Sequence, residues 1–160
     1  MIKLITLLFI IYCLILLILI IFKYPRVLIK EILVSWNFGL VYRNIRTANL
    51  IPFRTITRDI FTFDSYYIKV LMYNIIAFVP MGFLLPIISN KGKNIYFITI
   101  FATIFSLIIE VIQLITVLGA FDIDDILLNT IGAIIGFTLY LAFLKISNIV
   151  FKWIIKHLYT

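Results

Sequence analysis

The sequence predicts an all-α integral membrane protein with four transmembrane helices, and three observations carry that prediction. Hydrophobic residues make up 64% of the chain and charged residues only 13%, against about 45–50% and about 25% in ordinary soluble domains. The apolar residues gather into four runs, 4–22, 70–88, 95–118 and 126–146, each close to the roughly 20 residues that cross a bilayer. The charge is strongly basic, with 14 Lys and Arg against seven Asp and Glu, and the basic residues border the apolar runs. That placement favours anionic headgroups as partners and argues against nucleic acid. One membrane domain spanning residues 1–160 is the expected organisation.

The first run is too long for a signal-peptide core, and no small-x-small cleavage site follows it, so it reads as an uncleaved anchor. The single Cys13 in this run can form no intrachain disulfide. Residues 23–69 form a long connection, of a length that often marks function. Pro25 suits the first turn of a helix and Gly39 its end, and the segment between them is apolar enough to lie in the membrane interface. Beyond it come Arg43, Arg46, Arg54 and Arg58, whose guanidinium forks match the paired oxygens of a phosphate. Anchoring to headgroups is the plainer alternative.

The second run contains Pro80 and Pro86, which should kink or break its helix near Met81 and Gly82. Freed carbonyls at that depth need protein or a wet cavity to satisfy them. In the fourth run Gly132 and Gly136 have the spacing that lets helices approach closely. Packing within the chain is the simpler use of that face, and association of two copies the other. The remainder, 147–160, mixes Lys152 and Lys156 with Phe151 and Trp153 and reads as an amphipathic interfacial tail. The lone His157 has no second His or Cys to make a zinc-type site. Total basic charge favours the long connection as cytoplasmic, whereas charge density over short segments favours both termini inside. Both termini cytoplasmic is the orientation adopted.

Four of the seven acids, Glu110, Asp122, Asp124 and Asp125, lie within 16 residues, from inside the third run to the edge of the fourth. Glu110 sits inside an apolar run, where a carboxylate is costly and must be neutral, paired or facing water. Gln113 shares its helical face, with Ser106 a turn earlier, and Asp125 shares a face with Asn129. A short turn makes the two helices antiparallel neighbours, so these side chains, with Asn74 of the second run, converge on one polar spot. Capping of the fourth helix accounts equally for Asp122, Asp124 and Asp125, and cross-helix hydrogen bonding for Asn74 and Asn129. Neither accounts for Glu110. As a working site, the set has Glu110 and Asp125 as candidate catalytic residues. Gln113, Asp122, Asp124, Asn129, Asn74, Arg46 and Arg54 are candidate binding residues. Oxygen ligands without His or Cys suit Mg²⁺ or Ca²⁺, with Glu110, Asp122 and Asp125 as the metal set.

Three blocks, ANLIPFRTI (48–56), NIIAFVPMGFLLP (74–86) and EVIQ (110–113) together with FDIDDILLNTIGAIIGF (121–137), resemble the VanZ-like family of bacterial membrane proteins. The first block adds Asn49 to the candidate binding residues. The first run and the tail carry no recognisable signature of this family. The family pattern commonly places Gly-Arg before Phe-Asp, whereas this chain has Gly119 and Ala120, so any task of that arginine is missing here or borne elsewhere. The family's founding member is linked to resistance to the glycopeptide teicoplanin. The resemblance therefore implies a multi-pass protein of the bacterial plasma membrane acting in envelope physiology or glycopeptide tolerance. Combined with the acidic spot, it points to binding or modifying a lipid-linked, phosphate-bearing precursor such as a polyprenyl phosphate. A non-catalytic accessory membrane protein is the alternative. A small transporter is weaker, because no inverted repeat is present.

Overall fold

The computed structural model describes residues 2–21 and 26–158. Helix α1 (Ile2–Ile21) is followed by three short helices, α2 (Arg26–Ser35), α3 (Phe38–Ile45) and α4 (Arg54–Phe61). Then come α5 (Ser65–Ile88), a 3-10 turn at Lys91–Lys93, α6 (Ile95–Thr116) and α7 (Ile123–Leu158). Helices α1, α5, α6 and α7 are long and apolar enough to cross a membrane, matching the four runs. Among the described residues no strand forms beyond an isolated parallel bridge between Asn49 and Asp122. The expected helix start at Pro25 and the side chains of Trp153, Lys156 and His157 lie outside the described residues.

Local chemistry sets where the elements begin and end. The expected helix end at Gly39 is overturned, because Asn37 interrupts the chain first. Its side chain accepts the Leu40 N–H at 3.0 Å and caps a new helix that contains Gly39. Asn ranks among the best N-caps, so the first segment stops at Ser35 and α3 starts at Phe38. Asp64 does the same for α5, accepting the Tyr66 N–H at 2.8 Å, so the helix starts at Ser65, ahead of its apolar stretch at residue 70. Asn94 accepts from Tyr96 at 2.8 Å and opens α6. Val117, with φ 60°, ends α6 at Thr116, two residues before the apolar run does.

Helix continuity bears on two expectations. Helix α5 runs unbroken through Pro80 and Pro86. Near Pro80 the Tyr12 hydroxyl of α1 donates to the Ala77 carbonyl, so protein supplies polar contact in that turn. The tail is not a separate segment, because α7 continues to Leu158 as one helix of 36 residues. No Gly or Pro follows Gly136, so nothing stops it. At 1.5 Å per residue it is about 54 Å long, against the roughly 30 Å of hydrocarbon in a bilayer.

The centre of the bundle is the pairing of α5 with α7. A Cβ placed on Gly132 would lie 2.0 Å from the Ile75 carbonyl oxygen, and one on Gly136 would lie 2.0 Å from that of Val79. Backbone therefore meets backbone, the use of small residues by which membrane helices approach closely. Association of two copies through this face would have to displace α5. Phe78, Met81, Ile98, Ala102, Ile109 and Ala133 fill the core around this contact with no exposure. Helix α1 joins the core through Phe9 and Leu16 and leaves Leu4, Leu7, Leu8 and Leu14 more than half exposed, as a lipid-facing helix does. Because the chain reverses direction at each span, the α1–α5 connection and the α6–α7 turn lie at the same end of the molecule. That shared end carries the acidic cluster.

Candidate functional site

The turn after α6 is closed by Glu110. Its Oε2 accepts the backbone N–H of Asp122 at 2.9 Å, joining α6 to the residue before α7. Glu110 is 1% exposed, so a main-chain donor answers a carboxylate that would be costly at this depth. Asp122 turns its Oδ1 onto the N–H of Asp124 at 2.8 Å and caps α7, in line with the capping alternative. Gln113 is equally buried, with its side chain against Gly119.

Asn49 docks onto this turn from the long connection. Its N–H donates to the Phe121 carbonyl at 2.8 Å and its own carbonyl accepts from Ile123 at 3.0 Å, making the isolated bridge. Its Nδ2 donates to Asp122 Oδ1 at 2.8 Å and to Thr55 Oγ1 at 3.1 Å. Thr55 in turn donates its hydroxyl proton to Asp122 Oδ2 at 2.6 Å. Asp122 is thus shared between the cap of α7 and the connection.

Asp124 does something that its position in sequence does not announce. It is fully buried, and its carboxylate accepts three backbone N–H groups: Phe53 at 2.5 Å, Thr55 at 2.7 Å and Ile56 at 3.1 Å. These are the donors that the first turn of a helix leaves unpaired, and here the helix is α4. Its own N-cap residue, Phe53, has φ 67° and no side-chain cap. Asp124 supplies that cap from α7, and the positive end of the helix dipole favours its charge. The expectation that Asp124 serves the start of α7 is corrected accordingly.

A ladder of polar contacts descends from the turn into the bundle. Asn74 of α5 donates to Asp125 Oδ1 at 2.6 Å. One turn deeper, Asn129 Nδ2 donates to Ser106 Oγ at 2.8 Å. Below that, the hydroxyls of Thr103 and Thr130 lie 3.1 Å apart. Glu110 stands one turn above Ser106 on α6, and Asp125 one turn above Asn129 on α7.

The arginines lie on the connection, at other contacts. Arg46 donates to the Tyr42 hydroxyl at 3.1 Å and lies over that ring, 4.9 Å from its centroid. Arg43 and Arg54 are exposed. Arg58 pairs at 2.9 Å with Asp59, a carboxylate only 4% exposed that sequence reasoning passed over. Also missed were Thr55 and two residues that satisfy the free carbonyls at the end of α6. Asn44 donates to Leu114 O at 3.0 Å and to Gly119 O at 2.7 Å, and Trp36 Nε1 donates to Ile115 O at 2.8 Å. A helix end with four unpaired carbonyls beside an amphipathic segment carrying Asn and Trp was the available signal. Among the described residues, no three His, Cys, Asp or Glu side chains are grouped so as to hold a metal ion. Glu110, Asp122 and Asp125 are therefore not a ready-made ligand shell.

Four spans and a buried acidic turn with the long connection latched to it define a small multi-pass α-helical membrane protein. The chain belongs to the VanZ/LLP1 family, whose profile matches residues 9–145. The match enters α1, where sequence inspection found no signature, and stops about two-thirds of the way along α7. Over 97 residues the chain is 37% identical to Protein VanZ of Enterococcus faecium, covering 59% of this chain and 53% of that protein. The chain thus spans about half the length of the curated relative it matches. No solved structure matches it.

Proposed function

We propose that this protein acts in the plasma membrane of a bacterium, in envelope physiology and tolerance to teicoplanin-type glycopeptides. It does so by binding a lipid-linked, phosphate-bearing precursor at its polar end. The observation that carries this reading is the composition of the latched connection. Leu50, Ile51 and Phe53 are 67%, 59% and 59% exposed, and the exposed Arg46 and Arg54 flank them. Apolar side chains beside guanidinium groups, at the end of a membrane bundle, are what an acyl or polyprenyl chain ending in phosphate requires. Membership of the VanZ/LLP1 family supports the envelope assignment.

On this reading the acids work through the loop. Asp122 and Asp124 hold residues 49–56 in place, and Glu110 holds the turn that carries them, so these three are positioning residues. Both termini lie in the cytoplasm, and the latched loop faces outward, where a glycopeptide meets its target. Binding of a polyprenyl phosphate to the protein in lipid nanodiscs tests the proposal. The double variant Arg46→Gln, Arg54→Gln is expected to bind at least tenfold more weakly than wild type and to lose teicoplanin tolerance in cells. Equal binding by both proteins would reject the headgroup reading and leave the accessory role, in which the cluster only holds the fold together.

A further inference from the structure

The ladder contains one atom that no protein group answers. Asn129 is 2% exposed, its Nδ2 is engaged by Ser106, and its Oδ1 has no hydrogen-bond partner. A buried amide left half-satisfied at membrane depth is strongly disfavoured. We propose that Asn129 marks an internal water site between α6 and α7, separate from the headgroup surface and independent of it.

The chemistry selects water over an ion. A carboxamide offers an acceptor on one side and a donor on the other, and the Ser106 hydroxyl can satisfy either side, since it both donates and accepts. The side left over is an acceptor in one orientation of the amide and a donor in the other. Water serves both, whereas a cation serves only the first. The surroundings are suitable: Ser106 has no exposure, and the neighbouring Thr130 meets Thr103, about a turn from Ser106 on α6, hydroxyl to hydroxyl at 3.1 Å. Buried waters characteristically make two to four such contacts with otherwise unsatisfied polar groups.

The site also has a position in the ladder. Glu110 and Asp125 stand one helical turn, about 5.4 Å, nearer the acidic turn. A water held at Asn129 therefore extends the polar column one turn beneath both carboxylates, while the Gly132 and Gly136 contact with α5 leaves no room for one.

Water-edited solid-state NMR of the labelled protein in bilayers reads this directly. Magnetisation from water is expected to reach the Asn129 side-chain amide at least threefold faster than it reaches Ala102 and Ile109, which are equally buried on α6. Build-up at Asn129 no faster than at those two residues would overturn the proposal. Thermal unfolding of Asn129→Leu supplies a second readout. A wet site predicts a Tm several degrees lower, since leucine expels a bonded water as well as removing the bond to Ser106, whereas a higher Tm would overturn the proposal. Should that variant fail to fold, the spectrum of the unaltered protein decides the question.

Discussion

Helix α7 is held in two unlike ways along its length. In its middle, Gly132 and Gly136 lie against the backbone of α5 with room for no side chain. At its start, Asp122 and Asp124 bind the connection through hydrogen bonds to side chains and main-chain N–H groups. In a membrane the first contact depends on close packing, because lipid tails are as apolar as the side chains. The second depends on charge meeting otherwise unpaired donors at the end of the bundle. The comparison teaches that one helix can be fixed in position by its small residues while its acids fix a different part of the chain. Stability of the bundle and placement of the loop should therefore fail separately.

The largest effect is expected at the packed contact. In Gly136→Val the first added carbon would already lie 2.0 Å from the Val79 carbonyl oxygen, and backbone cannot yield as a flexible side chain can. Overpacking in ordinary cores costs about 1–3 kcal/mol and occasionally more, and this substitution should fall at or beyond the upper end. The measurement is the yield of monodisperse protein in detergent together with its Tm, and near-complete loss of folded material is expected. A well-folded variant with unchanged Tm would show that α5 and α7 are not in backbone contact.

Asp124→Ala comes next and should break the other half of the comparison. Three N–H groups at the start of α4 lose their acceptor, and hydrogen bonds to a charged group are worth about 1.5–3 kcal/mol each. Water at the membrane surface can replace part of that loss, so about 2–4 kcal/mol is a reasonable expectation. The effect should be local. Hydrogen exchange should accelerate across residues 49–61 while α5 and the middle of α7 keep their protection. Uniform acceleration throughout the bundle would show that the latch and the bundle are one unit.

These differences also explain what could be read from the sequence. The four spans follow from apolar runs and bilayer thickness, and the use of Gly132 and Gly136 follows from their spacing, because both are properties of one segment. The task of Asp124 is not a property of one segment. It caps a helix about 70 residues earlier in the chain, and a capping rule applied along the sequence assigns it to its own helix. The clue lay in α4, a short polar helix opening at Phe53, which has no acceptor to offer its own first turn. Gly39 misled in the opposite direction, since the stronger local signal was Asn37 two residues earlier. Glu110 stood out as an acid in an apolar run, but it accepts a main-chain N–H, which no pattern of side chains records.

The smallest effect expected is that of Glu110→Gln, and it separates geometry from charge at the joint between the two regions. Glutamine keeps an acceptor oxygen at the same reach, so the bond from Asp122 N–H can survive, changed from a charge-assisted bond to a neutral one. That exchange is worth about 1 kcal/mol, a small fall in Tm against the losses expected for Gly136→Val and Asp124→Ala. If the protein confers tolerance as proposed, with Glu110 holding the turn, tolerance to teicoplanin should persist in cells that make the variant at wild-type level. Glu110→Ala, which removes the acceptor altogether, should loosen the turn and the latched loop together. Loss of tolerance in a well-expressed Glu110→Gln of near-normal Tm would mean that the negative charge itself is used. Glu110 would then belong with the residues that meet the ligand, and the separation between a packed bundle and a positioned loop would have to be drawn one helical turn deeper.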